Sequence, residues 1–565
     1  MESVGEYELQ RLQALKESPV PINLVPRARL EATGLFSDYQ TASLMAYREE
    51  NGDILSFPEL ALVDGFGAEM AEALPCFVSL ESSALPGNSS LRRLPARYIS
   101  ESGAACKAEF PAGSGFLKSA ESRQNWWTRL KVSSEGRYDA SVSFRRDYDA
   151  ANWLPTSFSA YAVFYGRKTL NRFILGDYSL RFGQGLALWS GFSMTGWSGF
   201  RSFWKRPSGI SPSGSLSAGS SHSGMAASLS KGRYGLSVFV SVPALKKSLL
   251  RGKDADLTLL PGFNAYRLVR NGRVSLTSYC VISKDDGGKY SAETVVSADA
   301  RFCLQGKELF AEAAYDFGSD TPAVTAGCAV PLDGKWKVAF SGLYMPDGYG
   351  AGYSSPVRSF SSGGEYGASA GVYFGSLEFT AAFAGKPEMG REQVKAYFRY
   401  PWKISENNEL ACRIAARWRS GDGHPRADLR LDYRYAFSRW RTAARVNALK
   451  CRSLAGLAYV EEGFEGSRAA VWLRETAFAA DNWDDRMYSY ERDAPGSFNV
   501  PAYYGRGFSL ALVGRMKLSH LKLWLRCAYT SYRWTRIDSG SAKPSRLETR
   551  LMLVLDLSGR QLRRT

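Results

Sequence analysis

Residues 176–204 read GDYSLRFGQGLALWSGFSMTGWSGFRSFW, and this stretch sets the reading of the whole chain. It mixes glycine, aromatic and basic residues, with Asp177 as its one acid and no proline. Its apolar residues do not recur at helical spacing, and each glycine would cost a helix interior about 1 kcal/mol. Glycine-punctuated aromatic segments suit the strands and tight bends of a large β-barrel, where backbones approach closely. So many large rings also gain more at a membrane–water boundary than on a soluble surface.

Working outward from this stretch, period-two alternation dominates from Trp126 onward. Tyr138, Ala140, Val142 and Phe144 alternate with Arg137, Asp139, Ser141 and Ser143. Val394, Ala396, Phe398 and Tyr400 alternate with Gln393, Lys395 and Arg399. Leu431, Tyr433, Tyr435 and Phe437 alternate with Arg430, Asp432 and Arg434, and Leu551, Leu553, Leu555 and Leu557 with Arg550 and Asp556. Alternation places one set on each face of a sheet. A soluble sandwich alternates too, but here the polar face is charged, often with arginine, in strand after strand. No fixed repeat marks a propeller or β-helix. Closed barrels satisfy every backbone group and leave no edge. The fold class is therefore mainly β: a large antiparallel transmembrane barrel, with ~14–20 strands expected from typical hairpin spacing.

No window approaches the ~18 consecutive apolar residues of a membrane helix, which leaves strands of ~9–11 residues as the spanning elements. Short turns are expected at Glu135-Gly136, Asn271-Gly272, Asp286-Gly287-Gly288 and Asp333-Gly334. Longer loops are expected at 206–224, 344–366 and 482–504. The strands around 161–182 and 471–478 are harder to delimit.

Residues 1–80 differ from all this. They read as short helices: Tyr7–Leu15, then Arg29–Gly34, Asp38–Asn51, Phe57–Val63 and Ala68–Leu74. Ser37 or Asp38 caps one, and Ser56 with Glu59 forms a capping box for another. Leu62-Val63-Asp64-Gly65-Phe66-Gly67, followed by Ala71 and Leu74, is a helix-hairpin-helix pattern, in which two glycines allow a tight turn with outward N–H groups. Gly34-Leu35-Phe36-Ser37 with Ala42 is a worn upstream copy. The contact residues of this unit, for a phosphate or for a protein partner, are Val63, Gly65, Phe66, Gly67, Ala71 and Gly34. Residues 81–120 then form a linker that leads into the first strand near Arg97, and residues 121–565 the barrel.

Charge divides the chain in the same place. Five Lys/Arg against thirteen Asp/Glu give residues 1–80 a net −8, and the rest of the chain carries +25 within the total of +17. A basic balance often signals nucleic acid. With the strand pattern, it fits better with a basic lumen, or with loops that meet anionic lipid headgroups. An acidic head and a basic barrel would attract one another, which suggests a plug at the lumen mouth.

Residues 20–78 resemble the tandem hairpins of the DNA-binding competence protein family, a resemblance that implies DNA contact through the hairpin amides. The net charge of −8 opposes that role, because phosphate binding depends on cationic neighbours. Two further stretches, Leu175–Phe192 and Asp484–Phe508, resemble a Bacteroidota family with N-terminal helix-hairpin-helix repeats ahead of an outer-membrane barrel. The matching residues are Gly176, Asp177, Phe182, Gly183, Gln184, Gly185, Leu186, Trp189 and Gly191. In the second stretch they are Arg486, Tyr488, Tyr490, Glu491, Pro501, Tyr503, Tyr504, Gly505 and Gly507. The resemblance implies an outer-membrane location, a porin-like barrel with a periplasm-facing head, and no settled activity. Two departures from this class are the absence of an export signal in Met1–Val20 and an end, Gln561–Thr565, without a terminal aromatic residue.

Catalytic chemistry finds little support. Ser221-His222-Ser223 could suggest a hydrolase, but neighbours in a strand point to opposite faces. Gly183-Gln184-Gly185 lacks the Lys and Ser/Thr of a phosphate loop and reads as a bend or a crowded contact. Asp484, Asp485, Glu491 and Asp493 lie among aromatics, as in a sugar or cation site, but read more simply as a solvated loop network with Arg486 and Arg492. The eight cysteines lack metal-site spacing and define no disulfide framework. The expectation is a non-enzymatic barrel with no cofactor or metal. Its partners are membrane lipid and, at the head, a protein or DNA.

Overall fold

The structure is a computed structural model. It describes residues 15, 19–82, 96–110, 121–134, 137–166, 169–191, 200–216, 221–242, 258–284, 289–304, 306–332, 335–360, 363–386, 388–495, 497, 499–532 and 544–558. The expected turns at 135–136, 286–288 and 333–334 lie outside these residues, as does most of the expected helix 7–15.

Twenty-four antiparallel strands close into one barrel. The last strand, Ser545–Ser558, pairs with the first, Arg97–Phe110, from Ser545↔Phe110 to Ser558↔Arg97. The strand number exceeds the ~14–20 expected. Two-residue turns such as Arg270-Asn271 and Glu406-Asn407 pack more strands into the chain than average hairpin spacing allows. Strand Ala469–Ala480 illustrates the alternation. Val471 is 49% exposed on the outer face, and its neighbour Ala470 is 1% exposed. The outer face carries Val142, Leu429, Leu431, Leu510, Leu512, Leu551 and Leu553, all exposed, and the inner face the buried Ser141, Ser143, Arg430, Arg445 and Arg526. Exposed aromatics sit towards both rims, for example the pairs Trp336–Phe374 and Trp440–Phe464 at one and Tyr344 and Trp418 at the other. An apolar belt bounded by aromatic girdles is what lipid requires of a barrel exterior. This is a transmembrane barrel.

The two rims differ. One carries only short turns, such as 232–233, 270–271, 406–407 and 438–439. The other carries the long connections, including 346–364 and 481–504.

Among the described residues, the head contains the helices α1 Arg27–Thr33, α2 Asp38–Asn51, α3 Phe57–Leu62 and α4 Ala68–Ala73. Gly34 ends α1 in the left-handed region at φ 62°. Ser37 caps α2 in a full capping box with Gln40. Ser56 caps α3 through the N–H of Glu59, but the Glu59 carboxylate takes the N–H of Leu55, so the second box is only half formed. Between α3 and α4 the chain turns with Gly65 at φ 90° and Gly67 at φ 74°, where a side chain would be strained. Ile22, Leu30, Leu44, Ile54, Leu60 and Phe66 form the head's core. Val20–Pro21 pairs with Val78–Ser79, which ties its two ends together.

Candidate functional site: two inward folds and a docked head

One strand leaves the wall and runs into the lumen. Strand Leu170–Arg181 pairs with neighbours on both sides until Gly176 and Tyr178, its last partners on the wall being Tyr161 and His222. Gly176 has φ 92°, and a Cβ there would meet the Ala160 carbonyl oxygen at 2.3 Å. Asp177 fixes the departure point by accepting the Ser159 hydroxyl at 2.5 Å, the Ala160 N–H at 3.0 Å and the Ser223 hydroxyl at 2.5 Å. Beyond it, Tyr178–Arg181 pairs with Gly209–Pro212 as a short ribbon inside the barrel.

The stretch from Phe182 to Ser190 then packs on the inner wall. Leu180, Phe182, Leu186 and Leu188 join Phe239, Leu260, Tyr279 and Val295 in one buried cluster. The backbone is anchored by Glu312, whose carboxylate accepts the N–H groups of Gln184 at 2.6 Å, Leu186 at 3.1 Å and Ala187 at 3.3 Å. A carboxylate on successive N–H groups offsets its own burial by satisfying three donors. Gly183 allows this approach: its φ is 54°, and a Cβ would lie 2.6 Å from the Glu312 carboxyl carbon. Loop 346–364 folds in from the long-loop rim and clamps the segment. Tyr349 donates to the Leu186 carbonyl at 2.9 Å, and the Ser355 N–H to the Gly185 carbonyl at 2.8 Å. Trp189 lies under the Lys205 ammonium, 4.5 Å from its ring centre.

Loop 481–504 makes a second inward fold, on the wall formed by residues 440–532. Asp485 and Glu491 are 0% and 2% exposed, which corrects the expectation of a solvated network. Glu491 pairs with the inward-facing Arg526 and accepts from Tyr503, and Asp493 pairs with Arg550. Arg492 reaches Glu461 at 2.8 Å, which Arg474 also binds, at 2.7 Å. Arg474 donates to the Tyr490 carbonyl as well. Arg486 pairs with no acid in the loop. It lies over the Trp483 ring at 4.5 Å and donates to the Tyr488 hydroxyl at 2.8 Å. Trp483 meets Tyr504 edge-on at 4.7 Å. Pro501 precedes the pairing of Met487–Tyr488 with Ala502–Tyr503, and Gly505, at φ 84°, starts the next wall strand. Burial works against the charge of Asp485, but the hydroxyl of Ser453, the amide of Asn482 and the N–H groups of Ser453 and Arg452 together hold its pKa below the usual value. Burial raises the pKa of Asp493, with Arg550 acting against it.

At the short-turn rim the head meets the lumen wall through acid–base pairs. Arg172 donates to Glu31 of α1 at 2.8 Å and, through its other terminal nitrogen, to the Ile210 carbonyl of the inner ribbon at 2.8 Å. Arg273 pairs with Asp38 of α2 at 2.9 Å and stacks 4.1 Å over Tyr266. In return, Arg27 of α1 donates to the Ser230 hydroxyl at 3.1 Å. Val63, Phe66 and Ala71 are buried in the head, whereas Gly34, Gly65 and Gly67 are exposed. The Gly65 carbonyl accepts from Gln40 at 2.7 Å.

Gly176, Asp177, Phe182, Gly183, Gln184, Gly185 and Trp189 thus belong to the first inward fold and its hinge, and Arg486, Tyr488, Tyr490, Glu491, Pro501, Tyr503 and Tyr504 to the second, with Gly505 at its exit into the wall. Sequence reading missed Glu312, Arg172 and Arg273, each a single charge at an inward position of an ordinary strand. His222 is sandwiched by the rings of Tyr178 at 6.2 Å and Tyr353 at 5.2 Å, while Ser223 is held by Asp177. All eight cysteines are free.

The fold is similar to that of Pseudomonas aeruginosa OpdQ, at 10% identity over 82% of this chain and 97% of that chain, with a TM-score of 0.29. It is also similar to the translocation pore of the P pilus usher PapC, at 9% identity over 81% and 99% of the two chains, TM-score 0.35. The open form of the Escherichia coli K12 ferric-catecholate import receptor Fiu matches at 10% identity over 81% of each chain, TM-score 0.34. No family model and no curated protein matches the chain.

Proposed function

We propose that the protein is an outer-membrane channel with a basic lumen that favours anionic solutes, and that its acidic helical head is a plug at the periplasmic mouth. The observation that carries this reading is the docking of the head: Glu31 and Asp38 meet Arg172 and Arg273, which face the lumen. Short turns lie on the periplasmic side of outer-membrane barrels, and the head docks at the short-turn rim, which supports a periplasmic head. Inward arginines such as Arg413, Arg430, Arg445, Arg474 and Arg526 are each ion-paired, with Asp428, Asp432, Glu461, Glu491 and Glu548, so the excess positive charge comes from other inward cations such as Arg417. In the narrow, low-dielectric setting of a lumen, uncompensated positive charge raises the local anion concentration. The helix-hairpin-helix unit serves here as a docking module rather than a DNA clamp, since two of its acids are directed at the barrel. The test is ion selectivity in planar bilayers under a salt gradient. A reversal potential of the sign for anion preference supports the channel, and a cation-selective protein, or one that does not conduct even without its head, contradicts it.

A further inference from the structure

Lys395, Arg417 and Arg426 stand directly opposite one another across three adjacent strands: Lys395 faces Arg417, and Arg417 faces Arg426. All three occupy inward positions, between outward neighbours such as Val394, Trp418 and Ala427. Arg419, the next inward position, is oriented by the Gln393 side chain. Like charges directly opposite one another destabilise a sheet, so stability alone does not favour this row.

The nearby carboxylates Glu365, Asp422, Asp428 and Asp485 attract the row, but three of them are held by nearer groups. Glu365 accepts the N–H groups of Ser359 at 2.6 Å and Phe360 at 2.8 Å. Asp428 pairs with Arg413 at 2.8 Å, and Asp485 holds the backbone of Arg452 and Ser453. Asp422 is exposed in the turn. Arg426 is aimed by the second inward fold, donating to the carbonyls of Asp484 at 2.6 Å and Arg486 at 2.7 Å. Arg417, at the centre, makes no hydrogen bond or ion pair among the described residues.

We propose that this row is a binding site for a small polyanion of the diphosphate class, at the long-loop mouth and on the opposite side of the membrane from the head. Two strand spacings make the row about 10 Å long, which suits an anion with two charged groups better than a single phosphate. Guanidinium forks match phosphate oxygens, and the ammonium of Lys395 adds a point charge. The site deepens the channel reading, because it would concentrate the permeating anion at the outer mouth, and it rests on that reading for its role though not for its binding.

The test is titration of the full-length protein in detergent with pyrophosphate, followed by calorimetry at low and moderate salt. Binding that weakens with salt and falls about tenfold or more in both Arg417→Gln and Lys395→Gln supports the site. Lys403→Gln, on the same strand near the other mouth, should leave it unchanged. Two independent variants guard against misfolding, which heat-dependent gel mobility checks. No binding, binding in the two variants unchanged from that of the unsubstituted protein, or tighter binding of citrate than of pyrophosphate overturns the proposal. Conductance is measured separately. Pyrophosphate binding without any current retains the site and rejects the channel, and current without binding does the reverse.

Discussion

Arg172 joins three parts of the molecule through its ion pair with Glu31: it projects from the barrel wall, binds the head at 2.8 Å and holds the Ile210 carbonyl of the inner ribbon at 2.8 Å. Only a planar guanidinium offers two well-separated donors in this fork, so lysine cannot replace it. Arg172→Ala and Arg172→Lys are both expected to loosen the head by roughly 1.5–3 kcal/mol, the scale of a hydrogen bond to a charged group. Faster proteolysis within residues 19–82 of the folded barrel is the readout.

The pair Arg273–Asp38 gives a reciprocal test. Arg273→Glu or Asp38→Arg alone places like charges where a 2.9 Å ion pair stands, and each should expose the head. The double swap should restore part of the protection, and the coupling in a double-mutant cycle measures the contact.

Glu312 anchors the first inward fold. Glu312→Gln keeps the shape but presents an amide where three N–H groups need acceptors, and Glu312→Leu leaves all three donors unsatisfied. At roughly 1–3 kcal/mol for each buried unsatisfied group, the leucine variant should release the segment 182–190. Hydrogen exchange at Gln184, Leu186 and Ala187 should rise by orders of magnitude while that of the wall strands stays slow.

Gly183→Ala tests the same contact from the other side. The left-handed backbone and the 2.6 Å approach to the Glu312 carboxyl carbon both oppose a Cβ, at a cost on the order of 1–3 kcal/mol or more. Gly209→Ala shares a positive φ of 64° but has no atom within 4 Å of its Cβ, so it should cost less. Thermal unfolding of the two variants, compared side by side, gives the difference.

Asp485 makes the second inward fold sensitive to acid. Its folded pKa lies below its unfolded value, so its contribution is present above the ordinary carboxylate value of 3.8 and is lost as pH falls through the lower, folded value. Acidification below that range should free loop 481–504, read through the fluorescence of Trp483. Asp485→Asn should remove the pH dependence, with the loop looser at neutral pH by roughly 1–3 kcal/mol.

Much of the barrel was legible because alternation is a local signal: Val394, Phe398 and Tyr400 against Gln393, Lys395 and Arg399 already fix which face meets lipid. The head helices were legible through their caps and glycine turns, within one or two residues. The strand number was not, since short turns leave few residues to mark where a strand ends. Gly183 and Gly185 were legible as a bend or a crowded contact, but their direction into the lumen depends on Glu312, more than a hundred residues away, and on loop 346–364. The acids of loop 484–493 looked solvated because their partners Arg526 and Arg550 lie on distant strands. Nothing local separates Arg172 or Arg273 from the other arginines of the inner face.

The most direct measurement is the conductance of single molecules in planar bilayers, with and without residues 1–80. A plug held by Glu31 and Asp38 against a basic lumen predicts a small conductance for the full chain and a larger, anion-selective one after removal of the head. The variant Arg172→Glu with Arg273→Glu should shift the full chain in the same direction. An unchanged conductance in a correctly folded barrel, or an increase that favours cations, would contradict the plugged anion channel.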